Sequence, residues 1–424
     1  MSYFASSDEL PAWVAALPDS WDSDWLKWSV RLSTERPSEE EQSQLPYISN
    51  EDISSWTGKL LNDHPQPTES DGRRFQVDDV LLNKLRPYLA KVYHADFDGV
   101  SSGELLCLRS SDTVLPRFLF YVLTSKGFID SIDAETFGSK MPRADWEIVG
   151  HQPLPLPGLE TQRRIAQFLD EKTARIDGLI ERKCVLLDRL AEKRQALITR
   201  TVTKGLNPDA PMKPSGIDWL GDIPAHWEVK RLKFLGKTRY GLGEPPAKDD
   251  DGIPFIRATD IYRGTVDLSQ VQRVDINAVP WHRKPALQAG EILVVRSGAY
   301  TGDSALVTEN LAGFVAGYDM VFSADSAVSE FIAFVLLSKF MLQGQIYLAR
   351  QRAAQPHLNA EELGGFITAL PPLTEQPEIS KYLSGEFSRQ RYVEAKIEKS
   401  IDRLSEYRAA LITAAVTGQI EGLQ

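Results

Sequence analysis

Apolar residues recur at helical spacing in two long stretches of the chain. Between Arg163 and about Lys204 there is no proline, and Gly178 is the one glycine, as expected of an uninterrupted helix. In the first stretch, apolar residues stand seven positions apart at Leu169, Ile176, Leu190 and Leu197, and Lys183 interrupts the pattern. In the second stretch they stand at Leu383, Ile397, Leu404 and Leu411, and Gln390 interrupts the pattern. Each stretch predicts a helix of roughly 40 residues, or about 60 Å at 1.5 Å per residue.

Further apolar residues widen each pattern into a seam like the a and d positions of a coiled coil; they include Ile165, Leu179, Leu186, Ile379, Val393 and Ile401. A single helix with such a seam needs a partner, and this chain contains two equivalent helices. We therefore predict that the two helices pack together in antiparallel orientation. We interpret the pair as a rigid spacer; an ordinary intramolecular coiled coil without a measuring role is the alternative.

The segments outside the helices, 1–153 and 205–370, mix short β-like runs with one amphipathic helix each. DVLLNKLRP (79–87) and EILVVRSG (291–298) are typical of buried strands that end at a basic residue, whereas FLFYVLTSKGF and FIAFVLLSKFM predict helices. The Pro- and Gly-rich stretch 205–221 is typical of a linker. These patterns predict an α+β (mixed α/β) fold class.

The chain also repeats itself, which limits the architectures it can adopt. Residues 188–203 and 402–417 are identical at eleven of sixteen positions, at an offset of 214. Outside the helices, the pattern W-x4-P-x2-W-x4-L begins at Trp13 and again at Trp219, and LPYISNEDI matches IPFIRATDI. Shared helix-forming composition does not account for matched Trp and Pro spacing in non-helical segments. We therefore predict a pseudo-two-fold internal repeat over nearly the whole chain.

The acidic balance and the cysteine content exclude several function classes. A net charge of −11 over 424 residues excludes a uniformly basic coat, although residues 160–204 hold eleven Lys or Arg against seven Asp or Glu. Cys107 and Cys184 are too few for a disulfide framework or a four-cysteine zinc site. The sequence shows neither a transmembrane run nor a signal peptide, so we expect a cytoplasmic protein without a membrane partner.

Motifs of catalysis are missing from the sequence. It contains no G-x4-G-K-[ST] phosphate loop and no Asn-Pro-Pro or Asp-Pro-Pro string of an adenine methyltransferase. Asp177, Glu181 and Lys183 fall in the charged pattern of the first long helix, so we interpret them as helix surface and not as a nuclease site. The six histidines show no metal-ligand spacing. We therefore expect no catalytic residue and no bound metal in this chain.

Three segments together resemble the recurring segments of one family, the specificity subunits of type I restriction-modification systems. They are GSKMPRADWEIVG (138–150), ALITRTVTKGL (196–206) and DWLGDIPAHWEVKRLKFL (218–235). The family's frequent PPL-x-EQ before each helix is present as PPLTEQ at 371–376 but as PGLETQ at 157–162. The resemblance covers nearly the full length of the chain.

This resemblance implies two similar globular target-recognition domains, each reading one half of a split double-stranded DNA sequence, separated by two long antiparallel coiled-coil helices that act as a ruler. The predicted domains are the first target-recognition domain at 1–153, the first spacer helix at 154–204, the linker and second target-recognition domain at 205–370, and the second spacer helix at 371–424. The resemblance also implies docking of two methyltransferase subunits and two restriction subunits, the latter motor-nucleases, for defence against phage. S-adenosylmethionine and ATP would belong to those partners, and this chain would hold no cofactor.

The residues that read DNA are predicted from side-chain chemistry. Arg and Lys can bind guanine, Asn and Gln can bind adenine, and loop hydroxyl and amide groups can position phosphates. The candidates are Arg257, Thr259, Arg296, Ser297, Arg350, Arg352, Gln355 and His357 in the second domain, and Asn50, Lys84, Arg86, Ser139 and Lys140 in the first. For any one of them, a surface charge or a structural hydrogen bond is the alternative.

Two functions of other classes also fit parts of the sequence. A coiled-coil scaffold that does not read DNA would explain the helices but would leave the paired domains without a role. A self-contained enzyme of an unrecognised kind would have to work without known motifs. Methyl transfer by the purified chain alone would favour that enzyme.

Overall fold

The protein is represented by a computed structural model that describes residues 11–62, 64–68, 70–136, 141–350 and 357–423. The described chain forms two compact units. The first unit comprises the described residues up to Lys183 together with those from Glu398 onward, and the second unit is Cys184–Ile397. Both units mix helices with sheets, which confirms the predicted mixed fold class.

The first unit contains short strands and helices followed by the beginning of the first long helix. They are β1 Asp22–Trp25, α1 Leu26–Ser29, β2 Val30–Ser33, α2 Glu39–Gln44, β3 Tyr47–Ile48, β4 Gly72–Phe75, β5 Val80–Asn83, β6 Val92–His94, β7 Gly99–Ser102, β8 Leu105–Ser110, α3 Pro116–Thr124, α4 Lys126–Ala134, α5 Trp146–Gly150, β9 Pro153–Leu156 and α6 Leu159–Lys204. Among the described residues of this unit, β2-β8-β5-β6 form an antiparallel sheet, β3-β7-β4 form a smaller sheet, and β1 pairs with β9.

The second unit has counterparts of most of these elements, with additional strand pairs, and ends in the second long helix. Its elements are β10 Met212–Pro214, β11 Asp222–Pro224, β12 Glu228–Arg231, β13 Gly236–Tyr240, β14 Lys248–Ile256, β15 Ile261–Tyr262, β16 Thr265–Val266, β17 Gln272–Val274, β18 Ile292–Val294, β19 Ser304–Leu306, β20 Val315–Ala316, β21 Met320–Ala324, α7 Ser329–Leu336, α8 Tyr347–Arg350, α9 Ala360–Gly365, β22 Ile367–Leu370 and α10 Gln376–Val416. Its main sheet has the order β13-β21-β18-β19, the counterpart of β2-β8-β5-β6.

The predicted strands in DVLLNKLRP and EILVVRSG are β5 and β18, and each is buried on both faces. Val80 and Leu82 of β5 pack into the core that contains α3, whereas Leu81 packs into a smaller core with Phe75 of the second sheet. This division follows from the alternation of side chains along a strand. A strand that is covered on both sides needs an uninterrupted apolar run, which is the pattern in both segments.

The matched sequences LPYISNEDI and IPFIRATDI occupy the same place in the two units. Ile48 of β3 lies opposite Ser101 in a parallel pair with β7, and Ile256 of β14 lies opposite Ala316 in a parallel pair with β20. The sheets differ in the third strand, because β4 joins β7 whereas β17 joins β14. The repeat therefore holds at the level of strand pairing, with local changes at the edge of the small sheet.

In the first unit the two long helices run antiparallel. Arg164, near the start of α6, donates to the carbonyl of Gly422, just beyond α10, while Asp177 further along α6 pairs with Arg408 inside α10. The apolar contacts between them are made by Ile165, Leu169, Ile412, Ala415 and Val416, all buried in the core that also contains α3. The predicted antiparallel packing is confirmed in this unit.

In the second unit the helices are antiparallel as well. Gly205, just after α6, lies beside Glu375, just before α10, whereas Arg194 lies over the ring of Phe387. Ile198 and Val202 of α6 share a buried core with residues of α10; the latter are Ile379, Leu383 and Phe387. The apolar seam thus contacts a partner near the ends of both helices.

Other parts of the predicted seam are exposed. Leu179, Leu186 and Val393 are 37%, 45% and 43% exposed. Asp177, predicted on the helix surface, is instead buried, with 10% of its side chain exposed beside Arg408. A seven-residue period identifies a face of the helix, but the contacts of that face depend on which elements the fold brings next to it.

Two local predictions are corrected by the structure. The stretch 205–221 is more than a linker, because Met212–Pro214 forms a strand that pairs with Asp222–Pro224. Neither FLFYVLTSKGF nor FIAFVLLSKFM is one helix: α3 ends at Thr124 and α4 begins at Lys126, whereas α7 ends at Leu336 and a π-helix begins at Phe340. Ser338 stands at the break after α7, with its hydroxyl donating to the carbonyl of Val335 at 2.6 Å. Such a local side-chain bond competes with the helical hydrogen-bond pattern.

Within the described residues, no single helix has both the length and the mean hydropathy needed to cross a membrane. The bent pair Ser329–Leu336 and Phe340–Arg350, with an angle of 64° between its parts, meets these two criteria together. Phe331, Val335 and Met341 of this pair are buried in the core of the second unit.

Candidate nucleic-acid interface

Each unit has a loop at the end of its central buried strand, and we call these the first and second strand-end loops, residues 84–86 and 296–298. The carbonyl of Lys84 accepts from the backbone N–H of Ala144 at 3.0 Å, and the carbonyl of Arg296 accepts from that of Leu358 at 2.8 Å. Isolated bridges join Leu85 to Arg143 and Ser297 to His357 in the same way. The two loops are therefore equivalent positions of the repeat, held against a distant segment by the same backbone contacts.

Both loops place a residue in the left-handed region of backbone conformation. Gly298 has φ of 90°, and its counterpart Arg86 has φ of 52°. Glycine adopts this conformation without steric cost, whereas a residue with a Cβ atom loses about 1–2 kcal/mol. Arg86 is exposed, so this strained turn presents its guanidinium to solvent.

In the second loop, aromatic rings and a histidine hold the guanidinium of Arg296. Its central carbon lies 4.6 Å from the ring centroids of both Tyr240 and Tyr318. Nε and Nη2 donate to Nε2 of His357 at 3.4 and 3.2 Å. Because arginine has no acceptor, Nε2 of His357 is the acceptor in these contacts. The side chain is half-buried and ordered before any ligand arrives, which reduces the entropy lost on binding.

The buried carboxylate of Asp319 holds the backbone of Arg296 in place. The backbone N–H of Arg296 donates to Oδ1 of Asp319 at 3.0 Å, and Asp319 is 2% exposed. Among the described residues, Oδ2 of Asp319 has no hydrogen-bond partner. Burial raises the pKa of Asp319 to about 6, against the opposing effects of the hydrogen bond and the charge of Arg296. The carboxylate therefore changes charge near neutral pH directly beside the candidate arginine.

The first loop carries different chemistry on the same scaffold. The backbone N–H of Lys84 donates to the carbonyl of Glu104 at 3.0 Å, which places Glu104 where the second unit has Asp319. The carboxylate of Glu104 pairs with Arg143 at 2.5 Å, where the second unit has His357. The two units thus present unlike combinations of charge and hydrogen-bond donors at equivalent points.

The backbone of Asn50 is connected to the first strand-end loop by two hydrogen bonds of Lys91. Its carbonyl accepts from Nζ of Lys91 at 2.7 Å, and the carbonyl of Lys91 accepts from the N–H of Asn83 at 3.0 Å. Asn83 directly precedes Lys84, so three predicted residues of the first unit, Asn50, Lys84 and Arg86, come together at one end of the sheet. The position of Asn50 is fixed by its main chain, which leaves the side-chain amide outside that contact.

Arg257 and Thr259 occupy a short turn after β14. The guanidinium of Arg257 donates to the buried carboxylate of Asp260 at 2.8 and 3.1 Å and to the carbonyl of Gln270 at 2.9 Å. This carboxylate raises the pKa of Arg257. Thr259 is exposed and makes a long contact of 3.4 Å to Asp260. Arg257 therefore stabilises the turn and has fewer free donors for a base than Arg296.

The remaining candidates separate into described and undescribed positions. Arg350 is half-buried, and its Nη1 lies 3.5 Å from the carbonyl of Thr301. Ser297 and His357 are brought together with Arg296 by the backbone bridge. The other predicted positions lie outside the described residues; they are Ser139, Lys140, Arg352 and Gln355.

Sequence reasoning missed the residues that hold the candidates in place. Tyr240, Tyr318 and Asp319 were not selected because nothing in their local sequence indicates a neighbouring arginine. Arg143 could have been found, because it stands 214 residues before His357, the offset of the repeat. Comparing the two copies position by position, including where their residue types differ, would have supplied that signal.

No group of three or more His, Cys, Asp or Glu side chains within the described ranges could hold a metal ion. Cys107 is buried and Cys184 is exposed. Burial raises the pKa of the Cys107 thiol, helped by the nearby carboxylate of Asp79.

The sequence matches the family model described as "Type I restriction modification DNA specificity domain" over residues 33–183 and 224–403. These segments make up more than half of the chain. The chain belongs to this family. The two matched segments fall in the two copies of the internal repeat.

Two characterised relatives are specificity subunits of type I restriction enzymes. The chain is 25% identical over 313 residues to the EcoBI specificity subunit of Escherichia coli, an alignment that covers 72% of this chain and 65% of that subunit, slightly under two thirds. It is 22% identical over 436 residues to the MjaVIII specificity subunit of Methanocaldococcus jannaschii, covering 95% of this chain and 94% of that one. The family and these names confirm the sequence-based assignment to the specificity subunits of type I systems.

A solved structure has the same fold. It is a chain from work on the complex assembly and conformational transition of the type I restriction-modification system, with a TM-score of 0.70 and 19% sequence identity. The superposition covers 96% of this chain and 100% of that chain. At this level of identity the likeness establishes the fold, including a long helix between two similar domains.

Proposed function

We propose that this chain directs a type I restriction-modification complex to a split double-stranded DNA target, with each unit reading one half of that target. The observation that carries the proposal is the pair of strand-end loops. They share a backbone arrangement but differ in side chains, with Lys84 and Arg143 in one and Arg296 and His357 in the other. One scaffold with two sets of base-reading groups is what recognition of two different half-sites requires.

Within each unit we assign direct base reading to the strand-end loop. Arg296 is the strongest candidate, because its guanidinium is oriented by Tyr240 and Tyr318 and is not neutralised by an ion pair with a buried carboxylate. A guanidinium held in this way can bind O6 and N7 of guanine with two hydrogen bonds. Arg257 and Thr259 suit contacts to the phosphate backbone, since their turn is held by Asp260.

We assign the long helices two roles, spacing the half-sites and docking the partner subunits. Exposed apolar and aromatic side chains along the helices support docking; they are Leu179, Leu186, Tyr382, Tyr392, Val393 and Tyr407. Aromatic residues are enriched in the buried centres of protein interfaces. Two methyltransferase subunits and two restriction subunits would use these faces, and they would bring S-adenosylmethionine and ATP to the complex.

The test is to co-express the chain with the methyltransferase subunit of its own system and to map methylated adenines in the host DNA at single-base resolution. We expect one recurring motif with two defined parts and a gap of constant length. A chain in which both Lys84 and Arg296 are replaced by alanine should lose this motif. Methylation that continues at the same sites without the chain would contradict the proposal and would favour a scaffold.

A further inference from the structure

The two units contain equivalent cavities beside their long helices. The first has a volume of about 940 Å³ and is lined by residues 55–57 and Arg408; the second, of about 220 Å³, is lined by residues 263–265 and Arg194. Residues 55–57 and 263–265 lie in the turns that follow the matched segments LPYISNEDI and IPFIRATDI, and Arg408 corresponds to Arg194 at the offset of 214. The two cavities therefore share this part of their lining.

In the first cavity the arginine is neutralised within the chain. Nε of Arg408 donates to Oδ1 of Asp177 at 2.8 Å, and Nη1 donates to the carbonyl of Trp56 at 2.7 Å. The side chains of Arg408 and Asp177 are 8% and 10% exposed, so this is a buried ion pair. The first cavity consequently needs no external anion at this point.

The second cavity has lost that carboxylate and gained positive charge. The counterpart of Asp177 is Arg391, and Arg263 lies in the shorter turn that replaces residues 54–59. Arg391 and Arg263 line the cavity together with Arg194. Among the described residues that line it, Glu330 carries the one carboxylate. The three guanidinium groups outnumber that carboxylate, so an anion between them is favoured even though Arg263 and Arg391 are exposed and Asp303 lies near Arg263.

The buried hydroxyl of Ser304 also supports an anion in the second cavity. Ser304 lines the second cavity and is 1% exposed, and its Oγ has no hydrogen-bond partner within the described part of the chain. A buried hydroxyl without a partner is costly, and buried polar groups in folded proteins are normally satisfied. Ser384 and Ser388 also line the cavity from α10, on the helix face that carries Arg391.

We propose that the second cavity binds a phosphate group of a small molecule, with Arg194, Arg263 and Arg391 balancing its charge and Ser304 donating a hydrogen bond. Guanidinium groups suit phosphate because their fixed pattern of donors matches its oxygens. The volume of about 220 Å³ is below the range of drug-sized pockets and suits a small anion. This site is independent of the strand-end loops and of the proposed reading of DNA.

The experiment is calorimetric titration of the full-length chain with inorganic phosphate, in a chloride buffer of matched ionic strength. We expect saturable binding with a dissociation constant on the order of millimolar or tighter. Arg391→Asp gives the second cavity the carboxylate that the first already has, and should weaken phosphate binding about ten-fold or more. A parallel titration with AMP distinguishes the sources: tighter binding of AMP indicates a nucleotide, and equal binding indicates free phosphate.

Two further variants make this test specific. Arg403→Asp makes the same charge change at an exposed position of α10 outside the cavity, and should leave binding unchanged. Ser304→Ala should weaken binding several-fold while keeping or raising the melting temperature, because it removes a hydroxyl that is unpaired in the free chain. Absence of saturable binding, or equal binding by wild type and both Arg391→Asp and Ser304→Ala, would overturn the proposal.

Discussion

At the scale of single residues, Arg257 and Arg296 are held in different ways, and the difference determines what each guanidinium can still bind. Arg257 directs three hydrogen bonds at Asp260 and Gln270. Arg296 is placed over two tyrosine rings and contacts a single histidine nitrogen. An arginine that uses most of its five donors inside the protein stabilises a turn, whereas one oriented by aromatic rings keeps donors for a ligand.

We expect Arg296→Ala to affect recognition and Arg257→Ala to affect stability. Loss of the Arg296 contact should cost about 1–3 kcal/mol of discrimination at one base pair of one half-site. Arg257→Ala should lower the free energy of unfolding by about 1–3 kcal/mol, because it leaves the buried Asp260 without its guanidinium partner. Binding of the assembled complex to duplexes with single-base changes and urea unfolding of the chain measure the two effects. A uniform loss of affinity for all duplexes in Arg296→Ala would instead assign that residue to phosphate contact.

Asp319 gives the stability a defined dependence on pH. Burial raises its pKa from the ordinary value of 3.8 to about 6. Between about pH 4 and pH 6 the folded chain keeps a proton that the unfolded chain has lost, so the free energy of unfolding falls as pH rises through this interval. Above pH 6 the buried Asp319 is charged, and the resulting loss in the free energy of unfolding is fully present, on the order of 3 kcal/mol.

Asp319→Asn cannot ionise and should lose this slope. Its stability relative to wild type should therefore increase from pH 4 to pH 6 and then stay constant, as measured by urea unfolding at a series of pH values. Asp325→Asn, which changes an exposed carboxylate just after the same strand, is the control and should leave the slope unchanged. Parallel pH profiles for Asp319→Asn and wild type would show that Asp319 does not carry the effect.

At the scale of elements, the helix pair of the first unit depends on a charged contact as well as on its apolar seam. Arg408 reaches across from α10 to Asp177 of α6 and to the carbonyl of Trp56. A buried ion pair offers little net stability compared with an apolar pair, but removing one partner leaves an uncompensated charge. The pair therefore fixes how the helices are matched along their length, and this matching is sensitive to single substitutions.

We expect Asp177→Ala to lower the free energy of unfolding by about 3–5 kcal/mol, because it leaves Arg408 buried without a counter-charge. Glu181→Ala, one turn further along the same helix and exposed, should change it by no more than about 0.5 kcal/mol. Denaturant unfolding of the two variants measures both values. If both substitutions change the free energy of unfolding equally, the ion pair does not stabilise the fold more than an exposed side chain does.

The elements themselves were largely predictable, but their contacts were not. Periodicity predicted both long helices, and the apolar runs predicted β5, β18 and α3. The breaks at Ser125 and Ser338 were missed, because a hydroxyl that bonds to the preceding turn leaves no periodic signal. The burial of Asp177 was missed because its partner Arg408 stands 231 residues away in the sequence.

At the scale of the whole molecule, the spacer hypothesis makes a metrical prediction. Inserting the same seven residues into α6 after Lys183 and into α10 after Ile397 lengthens each helix by about 10 Å. If the helices set the distance between the half-sites, the gap in the methylated motif should grow by about three base pairs, at 3.4 Å each, while both half-sites stay the same. Mapping of methylated adenines in cells that carry the variant measures the gap.

An insertion in α6 alone is the matched control for this prediction. It shifts one helix relative to the other, so that the contact of Asp177 with Arg408 in the first unit or of Arg194 with Phe387 in the second is lost. Methylation should then be lost without a new motif appearing. An unchanged gap in the double insertion would show that the helices are an ordinary coiled coil without a measuring role.

The sequence by itself determined the duplication, the two long helices, the mixed fold class and the membership of a specificity-subunit family. These features follow from periodicities and from identities at constant offsets, both of which depend only on the order of residues. The tertiary structure decided how each candidate side chain is held: Arg296 by two tyrosines, Arg257 by Asp260, and the first loop by Arg143 and Glu104. Such contacts join residues far apart along the chain, so they exist only after the sheets and helices have packed.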